Sequence, residues 1–287
     1  MSTMMNFNNG ELGNFLTTKQ VKALCPKAFY ETPTNPNVSD KYIQANTATV
    51  MEDLAKLGWF PVEAKQCRAS KKSSGIRSFH MVAFQNPDVK IVKTNDDGSK
   101  IVDTYPRIIL TNSHDGFNAF KFMVGMFRLI CSNGLVVGDT LANMSIRHIN
   151  YTFEELRKVV NKTIEEIPNI VAQMNEMKTI ILDENQKKEI ATEVLRIRKN
   201  VNDGEQLVVE SKDIEEILKP VREEDKSNDL WTVFNVCQEK LIKGGFLSSG
   251  RNNKMRKVRS ITSIKKDMDY NQKLWSHAVK YMPVKCA

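Results

Sequence analysis

Hydrophobic and polar positions follow two different periods along the chain, and the change falls near residue 150. Before that point, short β-type runs such as 82–84 and 107–110 alternate with turn signals. A hairpin turn at 96–98 separates two further apolar runs. Earlier still, residues 47–57 carry apolar side chains at helical spacing and stop at Gly58, which predicts a helix.

Residues 120–131 are apolar on both alternating sets of positions, interrupted by Lys121 and Arg128. A turn follows at 132–134, so the pattern predicts a hairpin whose first strand is buried. A buried helix starting at Phe117 is the alternative. Because the two cations differ by an odd number of positions, they would face opposite sides of a regular strand.

A single apolar stripe follows residue 150. Thr152 and Glu155 have the spacing of a capping box, and apolar residues then recur every three or four positions from Phe153 to Met174. The stripe predicts one helix of about thirty residues. Pro168 should kink it, because proline removes an amide and clashes with the preceding turn.

Shorter helices are expected in the remainder of the chain. Asp183 and Asp229 are predicted N-caps, Gly244 and Gly245 end the second of these helices, and a last helix is expected over 271–282. This order of elements predicts an α+β fold, with an antiparallel β-sheet, a hairpin and a long packing helix, followed by a helical C-terminal half. We divide the chain into a partly flexible N-terminal arm over 1–40, an α+β core over 41–182 and a helical region over 183–287.

Positive charge is concentrated in two runs that contain no acid. The chain has 287 residues, is 41% hydrophobic and carries a net charge of +8, which suits an anionic partner. One run covers 65–77, and the other, 251–266, holds seven cations in sixteen residues. Mutual repulsion disfavours such segments unless an anion covers them, and a phosphate backbone is the usual candidate. Val258, Ile261 and Ile264 indicate that the second run docks partly on the body.

We predict that cations of these runs, with two from the sheet region, contact the phosphates of a nucleic acid. The predicted nucleic-acid-binding residues are Lys65, Arg68, Lys71, Lys72, Arg77, Arg128, Arg147, Arg251, Lys254, Arg256, Lys257 and Arg259. The first run would form a β-hairpin finger, flanked by Trp59, Phe60 and Phe79. Rings at such positions can stack on bases, although Trp59 after a helix-ending glycine is expected in the core. For both runs a solvated, charged loop without a partner is the alternative.

Residues 112–116 are the best candidate for chemistry. His114 beside Asp115 could act as a general base or as metal ligands. No second histidine stands at metal-ligand spacing, however. The structural interpretation is a turn in which Asn112 and Asp115 accept backbone amides and Gly116 takes a positive φ. We favour the turn and keep a metal-dependent nuclease using His114 and Asp115 as the alternative.

Several classes of protein are disfavoured by what the sequence contains. It has no Walker A loop and no dinucleotide or serine-hydrolase motif, so we expect neither an enzyme nor a cofactor. Five widely spaced cysteines without a CxxC pair argue against a disulfide framework. Because neither a signal peptide nor a membrane span is apparent, we expect a cytoplasmic protein with no membrane partner.

Two stretches and several short motifs resemble a known family. The stretches are 110–116 and 127–138, and the motifs include Arg222-Glu-Glu-Asp225, Asp229-Leu-Trp231 and Gly244-Gly245. They resemble the phage/plasmid-like family of unknown function, DUF932, over roughly residues 40 to 282. This resemblance implies a protein encoded by bacteriophages or plasmids, often beside replication and recombination genes, and therefore one that acts in the cytoplasm of a bacterial host cell. It brings no catalytic residues with it.

The order of elements is also similar to that of the ring-forming single-strand annealing proteins of the Rad52 type. In that group a curved sheet and its helix line a basic groove that holds single-stranded DNA. The similarity implies a DNA-binding protein that promotes ATP-independent annealing in recombination or replication. The long apolar stripe further suggests a homo-oligomer such as a ring.

Two other functions remain open from the sequence. One is an anti-defence or regulatory protein that binds a host protein or nucleic acid, and the other is the nuclease. Phage or host replication proteins are further expected partners of an annealing protein.

Overall fold

The computed structural model describes residues 15–38, 44–67, 76–94, 98–118, 120–128, 134–136, 145–146, 152–202, 205–207, 209–249 and 255–283. Within these residues the helices are α1 (Thr18–Leu24), α2 (Thr47–Lys56), α3 (Phe153–Thr179), α4 (Glu184–Lys199), α5 (Ser211–Leu218), α6 (Leu230–Lys243) and α7 (Ile264–Ala278). The strands are β1 (Phe60–Gln66), β2 (His80–Gln85), β3 (Ile91–Thr94), β4 (Lys100–Asn112), β5 (Phe120–Arg128), β6 (Gly134–Val136), β7 (Ser145–Ile146), β8 (Leu247–Ser249) and β9 (Met255–Lys257). The fold is α+β, as predicted.

The chain divides into two compact units. The first consists of residues 1–90, 105–122 and 144–160, and the second of 91–104, 123–143 and 161–287. Strands β4 and β5 and helix α3 contribute residues to both units. The boundaries expected at residues 40 and 182 stay predictions.

The sheet has the strand order β1-β2-β4-β5-β6, with β3 paired to β4 and β7 to β5. In the first unit, β2 lies between β1 and the second half of β4, antiparallel to both. All six residues of β2 are buried, as expected for a central strand that is covered on both faces. In the second unit, β3 pairs with residues 100–104, and β6 pairs with residues 125–127. Residues 120–128 are therefore a strand, and the helical alternative from Phe117 is wrong.

Apolar side chains from the helices and strands of the first unit form one core. Trp59, Leu54 and Phe84 are fully buried there, so the expectation that Trp59 belongs to the core is confirmed. The N-terminal helix adds Val21 to the same cluster. At about 25 cal/mol per Å² of apolar area, burying such large side chains is the main term that stabilises the unit.

Helix α3 extends over 27 residues and contains Pro168, close to the predicted length. Its amino end has the expected cap, because the Glu155 amide donates to Thr152 Oγ1. Leu156 and Met174 are buried, whereas Ile164 is 39% exposed. The chain itself thus covers much of the stripe, and the stripe alone gives little reason to expect an oligomer.

Helices α4 and α6 begin where the sequence predicts. Asp183 caps α4 in a capping box with Gln186, and Asp229 caps α6 by accepting the Thr232 amide. Helix α5 was not predicted. In the core of this unit, the Phe234 ring stacks with one tryptophan and meets another edge-on, which places Trp231 and Trp275 in the core.

The last helix begins earlier than predicted. Helix α7 starts at Ile264, which is 3% exposed, and the Ser263 hydroxyl accepts the Lys266 amide as its N-cap. The end of the basic run 251–266 is therefore helical. No described helix has the combination of length and apolar character that crossing a bilayer requires.

Candidate nucleic-acid interface

The described part of the second basic run is held against the body by its backbone. Residues 255–257 form β9, which pairs antiparallel with β8. Beyond the strand, the Gly245 amide donates to the Val258 carbonyl oxygen, the Val258 amide donates to that of Phe246, and the Ile261 amide donates to that of Ile242. These bonds use main-chain atoms alone, so the side chains of the run do not have to hold it in place. The expectation that this run docks partly on the body is confirmed.

Gly244 is the residue that allows this close approach. It ends α6 with φ of +66°, a conformation that residues with a Cβ seldom adopt. A Cβ on Gly244 would lie 2.5 Å from the Val258 carbonyl oxygen and 2.9 Å from that of Arg259. Gly245 also has a positive φ, but a Cβ there would meet no atom within 4 Å. The first glycine is therefore needed for space as well as for backbone conformation.

The hairpin and the end of α6 together form an open groove with cationic walls. We call it the basic groove, and it is lined by Lys243, Gly245, Arg256, Lys257, Val258, Arg259 and Ser260. Arg256, Lys257 and Arg259 are exposed. In the part of the chain that the structure describes, no ion pair joins these three side chains to a carboxylate. Their charge is thus available to an anionic ligand.

Lys243 is a groove residue that the sequence analysis missed. Its Nζ donates to Glu239 Oε1 at 2.9 Å. The other side of that carboxylate is held by Arg222, whose two terminal nitrogens donate to the two Glu239 oxygens at 2.8 and 2.9 Å. Burial raises the pKa of Glu239, but the hydrogen bonds from Arg222 and Lys243 outweigh it and keep the pKa below its usual value. The Arg222–Glu239 pair therefore positions Lys243 at the groove. Its signal in the sequence was only a cation in the last turn of a helix.

The two described cations of the first basic run, Lys65 and Arg77, have a different environment. Residues 60–66 and 80–85 form the predicted hairpin around it. Lys65 pairs with Glu63 at 2.5 Å, and the Arg77 guanidinium lies 4.1 Å from the centre of the Phe117 ring. Both cations therefore have intramolecular partners, which a phosphate would have to displace or share.

The two basic runs lie in different units, and their predicted convergence on one track stays a prediction. Lys65 and Arg77 belong to the first unit, and the basic groove belongs to the second. Arg128 lies in β5. The remaining predicted contacts lie outside the described residues: Arg68, Lys71, Lys72, Arg147, Arg251 and Lys254.

The candidate chemical loop is part of a buried polar cluster in the first unit. Its members are fully or almost fully buried side chains that come from the start of α2 and from the ends of β2 and β4: Thr47, Ser78, His80, Asn112, His114 and Asp115. His80 Nδ1 is 2.7 Å from the Ser78 carbonyl oxygen, which can only accept, so Nδ1 carries the proton. His80 Nε2 then accepts from the Thr47 hydroxyl at 2.8 Å, and this hydroxyl in turn accepts from Asn112 at 3.0 Å. Neutral His80 is therefore fully hydrogen-bonded.

Asp115 serves as an acceptor for backbone amides. Its two oxygens accept from the amides of Ser78 and Phe117, both at 3.0 Å. Burial raises its pKa, but hydrogen bonds from Ser113 and these two amides, with the charge of Arg77, leave the pKa below its usual value. Gly116 has φ of +73°, and Asn112 Oδ1 accepts the Ser113 amide. The turn interpretation is therefore confirmed.

The catalytic alternative has no supporting geometry. His114 and Asp115 are 0% exposed, which separates them from any substrate in solvent. Among the residues that the structure describes, no three His, Cys, Asp or Glu side chains are placed to hold a metal ion. The nuclease role thus stays a prediction.

Gly244 provides a test of how the basic segment is held. Both Gly244→Ala and Gly245→Ala should lose about 1–2 kcal/mol of stability because of the positive φ. Only Gly244→Ala should also displace the basic segment, because its Cβ would lie too close to the carbonyl oxygens of Val258 and Arg259. We expect faster trypsin cleavage after residues 256–259 in this variant, followed by mass spectrometry. Equal cleavage in the two variants would contradict the packing role of Gly244.

His80 should make stability depend on pH. Burial lowers its pKa to about 4, against the raising effects of the Ser78 carbonyl and Asp115, whereas its unfolded value is 6.5. Between pH 4 and pH 6.5 the unfolded chain binds more protons than the folded chain. The contribution of His80 to folding stability is therefore intact above pH 6.5 and is lost as the pH falls towards 4. The loss should total roughly 3 kcal/mol. Urea unfolding across this range should show a shallower pH dependence for His80→Gln. Identical slopes would exclude His80 as the cause.

Comparison with known proteins places the chain in a family. Two proteins of Escherichia coli (strain K12) are similar over 91% of this chain and 89% of their own length: UPF0380 protein YfjQ at 29% identity and UPF0380 protein YafZ at 28%. No solved structure matches the chain significantly, so the Rad52-type similarity has no structural support. The model of the domain of unknown function DUF932 matches residues 36–275. The chain therefore belongs to the DUF932 family.

Proposed function

We propose that the chain binds single-stranded DNA through the basic groove and promotes the annealing of complementary strands without ATP. The observation that carries the proposal is the absence of described ion-pair partners for Arg256, Lys257 and Arg259 on an exposed edge. An anionic polymer would relieve their mutual repulsion. Each phosphate that meets a cation also releases condensed counterions, which favours binding at low salt.

Cations that hold phosphates leave the hydrogen-bonding edges of the bases exposed. Two strands held in this way lose much of the electrostatic repulsion that opposes their approach. Base pairing then supplies the free energy for annealing, so the reaction requires no nucleotide hydrolysis. The protein would act by holding each strand extended and by raising its local concentration.

Assembly into a homo-oligomer is a further part of the proposal. Several copies would place several basic grooves along one strand and increase the binding affinity through multivalency. The regulatory-binder and nuclease alternatives have no observation of their own among the described residues, and they stay predictions.

Salt dependence tests the groove directly. Replacing Lys257 by Gln should weaken binding to a labelled oligothymidylate in an anisotropy titration. It should also reduce the slope of log K against log salt by about 0.7, the value expected for one phosphate contact. The matched control is Lys188→Gln, because Lys188 is an exposed lysine of α4 outside the groove. Oligonucleotide affinity that is absent at low salt would refute the proposed function.

Annealing needs a separate experiment. Two complementary oligonucleotides with a donor and an acceptor dye should anneal faster with the protein than without it, in buffer containing no ATP. The variant with Arg256→Glu and Arg259→Glu should lose this acceleration, because its groove repels phosphates. Mass photometry with and without a single strand would detect the expected oligomer. Tight binding without acceleration would limit the function to strand binding.

A further inference from the structure

The exposed face of the β8–β9 hairpin combines apolar and cationic side chains. Leu247 is directly opposite Lys257 in the antiparallel register, and opposite residues point to the same side of a sheet. Met255 precedes Lys257 by two positions, so its side chain shares that side. We call Leu247, Met255 and Lys257 the hairpin face.

On the other side of the hairpin, Ser248 packs towards the body, whereas Arg256, its partner in the register, is exposed. Ser248 is 7% exposed, and its hydroxyl donates to Asp213 at 3.2 Å. Asp213 is fully buried, and its carboxylate also lies 4.0 Å from the Lys199 ammonium group. The bond from Ser248 to Asp213 therefore gives the hairpin a defined orientation, in which the apolar residues of the hairpin face are exposed. Leu247 is 48% exposed and Met255 41% exposed.

Charge complementarity identifies the occupant of this face. Two apolar side chains beside Lys257 and Arg259 match a ligand with an apolar plane and an adjacent negative charge. A nucleotide unit has both parts, since its base offers a flat π-face and its phosphate a charge. Leucine and methionine are among the side chains that proteins place against unstacked bases, and the methionine sulfur is polarizable.

We propose that the hairpin face is a base-contact subsite, in which Leu247 and Met255 pack against bases of the strand whose phosphates occupy the basic groove. This inference rests on the proposed function and adds to it the means of selecting single strands. In a duplex each base face is covered by its neighbours, so only an unpaired strand offers one without unstacking. The cations of the basic groove alone would not distinguish a single strand from a duplex, because both carry phosphates.

The test compares an oligothymidylate with an abasic phosphodiester of the same length. Base contacts contribute to binding of the first, whereas both ligands carry the same phosphates. We expect the full-length protein to bind the oligothymidylate roughly tenfold more tightly. The double variant Leu247→Asn and Met255→Gln should lose most of that difference and keep its affinity for the abasic strand within about twofold.

A matched control separates the face from exposed apolar side chains in general. Val221→Asn changes a side chain that is 62% exposed and lies outside the hairpin, so both affinities should remain unchanged. Because all three substituted residues are exposed, the midpoints of urea unfolding should stay close to that of the unsubstituted protein. This measurement shows that a change in affinity does not arise from unfolding.

Each remaining outcome has a definite meaning. If the unsubstituted protein binds both ligands equally, or if the double variant retains its preference, the base-contact subsite is overturned and the basic groove stands. If neither ligand binds at low salt, the proposed function itself fails. If the double variant instead abolishes self-association in mass photometry and keeps its preference for the oligothymidylate, the face is a contact between copies and the inference is wrong.

Discussion

Main-chain hydrogen bonds hold the described part of a strongly cationic segment against the second unit. Seven like charges in sixteen residues repel one another, and none of the residues between them is acidic. The β8–β9 ladder and the bonds made by Val258 and Ile261 oppose that repulsion. They depend in turn on Gly244, which lets two carbonyl oxygens approach the end of α6. Without this backbone anchor the basic groove and the hairpin face would have no fixed geometry.

The two basic runs look alike in sequence, and their described cations differ in what surrounds them. Lys65 is paired with Glu63, and Arg77 lies over Phe117. In the second run Arg256 and Arg259 have no described carboxylate partner. A phosphate gains little from a cation that must first give up an ion pair, because the two interactions nearly offset each other. The second run is therefore the better candidate for binding, whereas the first is partly used within its own unit.

In sequence, the polar cluster of the first unit resembles a functional site. In the structure, its side chains link neighbouring elements through hydrogen bonds. Burying hydroxyl, imidazole and carboxylate groups is costly unless each finds a partner. Here Thr47 and Ser78 link the start of α2 to the ends of two strands, and Asp115 accepts amides from two loops. A hydrogen-bonded network of this kind favours one arrangement of the surrounding chain. These hydrogen bonds account for the concentration of polar residues at 112–116.

The sequence alone determined the elements whose causes are local. These elements depend on spacing within a few residues, and each was found close to its predicted place. They are the apolar stripe of the helix from Phe153, the N-caps Asp183 and Asp229, and the glycine that ends α6. Tertiary structure decided which charges are neutralised and which apolar side chains stay exposed. Glu239 and Lys243 are a local i,i+4 pair, but Arg222 reaches the same carboxylate only because the chain folds back. Leu247 likewise shares a face with Met255 only through strand register. Contacts between residues distant in sequence leave no periodic pattern, so the composition of the basic groove could not be predicted from the chain alone.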